Sequence, residues 1–164
     1  MGKILVIGNS SSGHAAVEVF AKNGAHEITV VSREPFCAYD KSLLLEFIGG
    51  RKKEKELFLV NDDFYRNNKI ALLKDAEVVR FDAKRQRVTL KDGTKLSFDY
   101  CLIASGMKVL LPDVPGKTKE GVFAWGGLRT AKAIKQRLDI THTACLLGDA
   151  ALCRSIAEVI RAQS

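Results

Sequence analysis

The stretch from Lys3 to Ser32 constrains this chain more than any other. Lys3 to Ile7 reads as a buried strand, with Ile4-Leu5-Val6-Ile7 wholly apolar. Gly8-Asn9-Ser10-Ser11-Ser12-Gly13 breaks it. His14 to Asn23 is rich in Ala, with Val17, Phe20 and Ala21 on one helical face, and Gly24 stands where a left-handed glycine ends a helix. Glu27 to Ser32 is a second strand, carrying Ile28, Val30 and Val31. A strand, a helix and a strand in about 30 residues close as a parallel pair with a right-handed crossover.

The turn carries chemistry as well as topology. Gly8-x-Ser10-x-x-Gly13 is the dinucleotide fingerprint with one substitution. Its first glycine makes the tight turn, the second admits a pyrophosphate, and the third lets the helix pack on the strand. Backbone N–H groups and the partial positive charge of the helix N-terminus hold phosphate there. Ser10 adds a Cβ at the second glycine, together with a hydroxyl able to donate to phosphate. The alternative is an ordinary strand-to-helix turn. An acidic residue at the end of the second strand normally binds the adenosine ribose. That strand ends Val31-Ser32-Arg33-Glu34, so Glu34 comes two positions late, and Ser32-Arg33 also suits a 2′-phosphate. A solvent-facing ion pair is the plain alternative for Arg33.

Downstream, Arg33 to Lys41 is a polar loop and Ser42 to Ile48 is helical, ended by Gly49-Gly50. Asn61-Asp62-Asp63 caps a short helix through Asn68, and Ile70 to Leu73 reads as a third parallel strand. From Glu77 the period changes to two. Glu77–Phe81, Arg87–Leu90 and Lys95–Phe98 are short strands, the last two joined by Asp92-Gly93. Tyr100 to Ala104 returns to a continuous apolar strand, stopped by Ser105-Gly106. Pro112 and Pro115 break the stretch Leu110 to Gly116, Leu128 to Leu138 is helical, and Ala144 to Leu147 reads as a further buried strand before Gly148 and a helix from Ala151 to Ala162. The fold class is α/β: a Rossmann-like three-layer parallel sheet with an inserted antiparallel β-meander. The closing strand, glycine turn and helix repeat the opening pattern. A second nucleotide-binding-like domain is therefore expected to begin near Thr143 and to be cut off.

Composition excludes several classes. With 164 residues, 46% of them apolar and 27% charged, the chain is a folded globular protein of about one domain. No apolar run approaches the roughly 20 residues of a membrane span, and the first apolar run is too short for a signal peptide. A cytoplasmic protein without a membrane partner is expected. The net charge of +7 is densest at Arg51-Lys52-Lys53-Glu54-Lys55, which reads as a solvated loop face. No aromatic-basic platform accompanies it, so nucleic acid is not an expected partner. Cys37, Cys101, Cys145 and Cys153 form no C-x-x-C pair, which excludes a zinc or disulfide framework. Cys101 and Cys145 lie in apolar runs and read as small hydrophobes. His14 reads as packing at the helix start, and His26 and His142 as surface loop residues. There is no Ser/His/Asp or metal-ligand constellation.

The order of these segments resembles the two-dinucleotide-fold flavoproteins of the pyridine nucleotide-disulfide oxidoreductase superfamily. The similar branch holds NADH:rubredoxin oxidoreductases, nitrite reductase flavoproteins, NADH oxidases and coenzyme A-disulfide reductases. Ile103-Ala104-Ser105-Gly106 resembles the family's Ala-Thr-Gly strand end, which closes over FAD. Val78-Val79 with Asp82, followed by Val88–Gly93, resembles its meander, where the backbone at Val79 meets the adenine. Glu34-Pro35 with Tyr39-Asp40-Lys41 resembles a Glu-Pro…Tyr-x-Arg stretch near the flavin and its phosphates; Lys41 keeps the charge and loses the fork. Gly121-Val122-Phe123 and the helix at Leu128 resemble the crossing into the NAD domain.

The resemblance implies FAD as cofactor, with its pyrophosphate at Gly8, Asn9, Ser10, Ser11, Ser12 and Gly13. It puts the adenosine near Glu34 and Val79 and the flavin end near Tyr39, Lys41, Ser42, Ser105 and Gly106, with Ser32, Arg33 and Ala104 as further cofactor-binding candidates. NAD(P)H would be the reductant in the longer parent. Ser42 falls where NADH oxidases carry a redox cysteine, and serine forms no sulfenic acid or mixed disulfide. Cys37 lies five residues early. The second glycine turn, Gly148-Asp149-Ala150-Ala151-Leu152-Cys153, keeps only its first glycine.

The expectation is therefore an incomplete FAD-binding domain over 1–116, a connection over 117–142, and the start of an NAD(P)-binding-like domain over 143–164. It belongs to a flavoprotein oxidoreductase that passes electrons to an acceptor without a redox cysteine, and the 164-residue chain is not expected to be active alone. An electron carrier of rubredoxin or ferredoxin type is the expected protein partner, in a homodimer or hetero-complex. The rival readings are a non-catalytic nucleotide-binding or interaction module and an NADP-binding reductase domain.

Overall fold

A computed structural model describes residues 2–24 and 26–162. Its elements run β1 (Gly2–Ile7), α1 (Ser11–Asn23), β2 (His26–Val31), α2 (Leu44–Ile48), α3 (Asp62–Asn67), β3 (Ala71–Leu73), β4 (Val78–Asp82), β5 (Arg87–Leu90), β6 (Lys95–Ser97), β7 (Tyr100–Ile103), α4 (Leu128–Leu138) and α5 (Ala150–Arg161). The chain forms two compact units: Met1–Asp40 with Phe58–Gly106, and Lys41–Leu57 with Met107–Ser164.

The first unit is built on a four-stranded sheet in the order β3-β2-β1-β7, every pair parallel. Between β3 and β7 the chain leaves the sheet to make the antiparallel meander β4-β5-β6. β1 explains the layering. Ile4 and Val6 are buried with Val17, Ile28, Val30, Tyr65 and Ile70, on the side of α1 and α3. Leu5 is buried with Val31, Val88, Leu90 and Phe98, on the side of the meander. A strand covered on both faces has no polar position to spare, so it reads as an unbroken apolar run. The result is the expected three layers of helix, parallel sheet and meander.

The helix ends follow local chemistry. α1 starts at Ser11 rather than His14, with Ser10 as N-cap, and ends at Gly24 in the left-handed conformation, φ 63°. Asn61 caps α3, its Oδ1 accepting from the N–H groups of Asp63 at 3.1 Å and Phe64 at 3.4 Å.

In the second unit α2 packs against α4 and α5. Leu44, Phe47, Ile48, Leu57, Leu128, Ala131 and Val159 are buried there. The Lys135 ammonium sits 4.5 Å over the Phe47 ring and donates to the Phe47 carbonyl at 2.6 Å.

Ala144 to Leu147 is not a strand. It forms no ladder, and Ala144, Cys145 and Leu147 are exposed. A strand needs a neighbour for its N–H and C=O groups, and an apolar run supplies only the burial half of that requirement. No other strand lies beside this segment among the described residues. Cys145 is consequently a surface thiol, not a buried hydrophobe. His26 is exposed, but it opens β2 rather than lying in a loop. No helix among the described residues is long and apolar enough to cross a membrane.

Candidate functional site

The carboxyl ends of the parallel strands gather most of the predicted residues. The Gly8 N–H donates to the Val31 carbonyl at 2.8 Å, the Ala104 N–H to Ile7 at 2.8 Å, and the Ser32 N–H to Leu73 at 2.8 Å. The glycine turn, the Ala104-Ser105-Gly106 strand end and the start of the Ser32 loop thus continue the ladder of one sheet edge. Ligands of open α/β sheets bind at such edges, outside the strand ends.

Two glycines of the turn are sterically required. Gly8 has φ +110°, and a Cβ on it would run into the Ala104 carbonyl. A Cβ on Gly13 would run into the Gly8 carbonyl, which is how close the helix comes to the strand. Ser10 differs: with φ −97° and ψ −171° it is extended, and an L side chain fits without strain. The substitution in the fingerprint therefore leaves the backbone path intact.

The N-terminus of α1 is open to an anion. Ser10 makes no side-chain capping bond, and the first turn holds no acidic residue. Ser11 and Ser12 are exposed and Gly13 is buried. The second glycine turn contrasts with this. Asp149 caps α5, its Oδ1 accepting from the N–H groups of Ala151 and Leu152 at 3.0 Å each. A carboxylate already occupies the donors that a phosphate would need.

Below the first turn lies a polar cluster, buried at Asn9 and Tyr65 and reaching solvent at Asp62. The Tyr65 hydroxyl donates to Asn9 Oδ1 at 3.0 Å and accepts from the Ala38 N–H at 3.3 Å. Cys37 donates its thiol proton to Asp62 Oδ1 at 3.3 Å, and Lys74 Nζ donates to the same oxygen at 2.6 Å. Burial, then the bond to Asp62, pushes the Cys37 thiol up from its ordinary value. Both effects favour the protonated thiol over the thiolate. His14 is buried with its ring edge-on to Phe64 at 5.3 Å and its Nε2 3.6 Å from Glu18. Burial holds its imidazole below the ordinary value, against the pull of Glu18.

The adenosine candidates are arranged around a tight loop. The buried Ser32 hydroxyl accepts from the Glu34 N–H at 3.2 Å and donates to the Glu34 carbonyl at 3.1 Å. One Glu34 carboxylate oxygen accepts from the Tyr39 hydroxyl at 2.8 Å. Arg33 is exposed beside them, and Val79 is exposed on β4. A cavity of about 570 Å³ lies between the β3–β4 connection and the β5–β6 hairpin, lined by Leu72, Asp75, Glu77, Leu90 and Thr94 among others. None of the predicted residues lines it. Lys41 and Ser42 belong to the second unit, both exposed, in a single 3₁₀ turn that leads into α2. Spacing did not point to Tyr65. No sequence pattern marks a tyrosine whose hydroxyl is satisfied inside the core.

The fold is that of a Rossmann-like α/β protein of the nucleotide-binding type, with a glycine turn between its first strand and helix. The family model for pyridine nucleotide-disulphide oxidoreductases matches residues 2–148, and the chain belongs to that family of NAD(P)H-dependent flavoprotein oxidoreductases. It is 31% identical over 118 residues to the NADH-dependent phenylglyoxylate dehydrogenase subunit epsilon of Aromatoleum evansii, covering 70% of this chain and 27% of that one. It is 26% identical over 158 residues to the NADH-rubredoxin oxidoreductase of Clostridium acetobutylicum, covering 96% of this chain and 41% of the relative. The crystal structure of an NADH:rubredoxin oxidoreductase from Clostridium acetobutylicum superposes with a TM-score of 0.89 at 25% identity, over 98% of this chain and 42% of that chain. The chain thus spans less than half the length of these relatives.

Proposed function

We propose that this chain carries the FAD-binding part of an NAD(P)H-dependent flavoprotein oxidoreductase, within residues 1–116, and that electrons leave the flavin without passing through a redox-active cysteine. The observation that carries the reading is the first turn: two glycines where a Cβ has no room, and a helix N-terminus without an acidic cap. These residues fit a diphosphate. The backbone N–H groups of Ser11, Ser12 and Gly13 and the Ser10 hydroxyl would hold it, and Glu34 has further lone pairs for a ribose hydroxyl. Bound there, FAD supplies the two-electron chemistry; the chain supplies binding and orientation.

Two features support a path without a thiol. By the family resemblance Ser42 falls at the position of the redox cysteine of NADH oxidases, and Cys37 donates its thiol proton to Asp62 in the core. An electron-carrier protein is the fitting acceptor, in keeping with the rubredoxin in the name of one relative. The Asp149 cap on α5 favours a second reading, a nucleotide-binding module without hydride transfer of its own.

Titration with FAD, followed by absorbance and flavin fluorescence, tests the reading. Saturable binding at one site per chain is expected, lost in Gly8→Val and in Gly13→Val. Equal binding by both variants, with circular dichroism showing them folded, would refute the assignment of the turn. A parallel titration with NADPH tests Arg33: tight NADPH binding with no flavin binding would make this an NADP-binding domain instead.

A further inference from the structure

The outer face of the meander carries charge that the rest of the chain does not answer. Six Lys or Arg against two Asp give residues 78–98 a net +4 of the chain's +7. The register decides where they stand. Val88 and Leu90 of β5 are buried in one cluster with Leu5, so Arg87 and Thr89 belong to the opposite face. Arg80 pairs with Thr89 and Thr89 with Lys95, while Asp82 pairs with Arg87 and Arg87 with Ser97. The register shift between Val78 and Arg80 brings Arg80 onto this face. Arg80, Arg87 and Lys95 thus surround Thr89, and Lys84 and Arg85 follow in the β4–β5 turn; all five cations are exposed. Elsewhere Lys52, Lys74, Lys117, Lys132 and Arg137 each hold a carboxylate. Among the described residues none of the five on the meander makes an ion pair, and Asp82 accepts from the Arg85 backbone N–H at 3.0 Å.

We propose that this face docks an acidic protein surface. Like charges beside one another on a sheet repel, and a partner bearing carboxylates relieves that repulsion. The cations are spread over three strands and a turn, which suits an extended surface and not a small anion. Two features select protein over nucleic acid. The rings of Phe81 and Phe98 stack on each other at 5.6 Å, and Phe81 pairs with Val88 on the inner side, so no ring on the outer strands is offered to a base. Asp82 stands in the row and would repel a phosphate backbone, whereas arginine forks bind carboxylates two bonds at a time and the Thr89 and Ser97 hydroxyls both donate and accept. Docking here requires no flavin, so it stands or falls apart from the FAD reading.

The test uses the whole chain and a fluorescein-labelled polyglutamate peptide as probe, followed by fluorescence anisotropy. Saturable binding is expected at low ionic strength and should weaken as salt rises, because exposed charges are screened beyond roughly 10 Å at about 0.1 M. Arg80→Glu, Arg87→Glu and Lys95→Glu together are expected to raise the dissociation constant about tenfold or more. Arg51→Glu, Lys53→Glu and Lys55→Glu make the same change in net charge in the other unit and are expected to leave it within about twofold. Circular dichroism checks that both triple variants fold. If the meander variant does not, the wild-type protein decides: bound peptide should slow acetylation of Lys84 and Lys95 and leave Lys53 and Lys55 unchanged. No saturable binding, an equal loss in both triple variants, or no protection of Lys84 and Lys95 overturns the proposal. A DNA duplex or a phosphatidylglycerol vesicle that binds more tightly than the peptide through the same three residues overturns the acidic protein as occupant.

Discussion

At Ser10 the sequence departs from the fingerprint and the backbone does not. Its extended φ and ψ need no glycine, whereas Gly8 and Gly13 abut the carbonyls of Ala104 and Gly8. The same contrast between residue type and surroundings governs the cysteines. Cys37 is buried among Ile4, Val30, Tyr65 and Ile70, and its thiol donates to the Asp62 carboxylate. Cys145 is exposed. Alkylation follows the thiolate, which Cys37 forms only above the ordinary thiol range because burial and the Asp62 acceptor both favour the protonated form. Brief iodoacetamide treatment of the native protein at pH 8 should therefore modify Cys145 and leave Cys37 intact, by peptide mass spectrometry. Urea should expose Cys37. Rapid labelling of Cys37 in the native protein would reinstate a thiol route for the electrons. The loop position of Cys37 was legible in the sequence. Its environment was not, because its acceptor Asp62 lies 25 residues along the chain and Ile4, Tyr65 and Ile70 come from other elements.

Elements whose signal is local were legible. β1, β2 and their crossover helix announce themselves by an apolar run, a glycine turn and a C-terminal glycine, and β5 and β6 by the Asp92-Gly93 turn. The segment Ala144–Leu147 failed because its apolar run has no neighbouring strand among the described residues. Burial on both faces is what makes β1 the central element. Leu5 is 1% exposed, against Val88, Leu90 and Phe98. Leu5→Ala removes contacts on the meander side only and should cost about 2–5 kcal/mol. Val19, on the solvent face of α1, is 56% exposed, and Val19→Ala should stay within about 0.5 kcal/mol. Urea midpoints with unchanged slope would measure both. A small loss at Leu5 would mean that the meander does not close that face of the sheet.

The described residues fall into two compact units, each with its own buried residues, and this gives the FAD reading a test with spatial resolution. One core surrounds β1, β2, Val17 and Tyr65; the other is made by α2, α4, α5 and Leu57. Units with separate cores open separately, and a ligand stabilises the unit that must be intact to bind it. Near saturation, at 100 times the dissociation constant, linkage contributes about 2.7 kcal/mol, or roughly a hundredfold slower exchange of amides that open with that unit. Hydrogen exchange by mass spectrometry with and without FAD should therefore slow peptides from β1, the Gly8–Gly13 turn, α1 and β7. Peptides from α4 and α5 should exchange as before. Equal slowing in all of them would show that the two units open as one, and the division by cores would be structural without being energetic. Slowing confined to α4 and α5 would move the nucleotide to the second unit and remove the basis for assigning the glycine turn. The intermediate case is informative as well: slowing in β1 and α1 without β7 would leave Ala104 as a wall for Gly8 and take Ser105 and Gly106 out of the site.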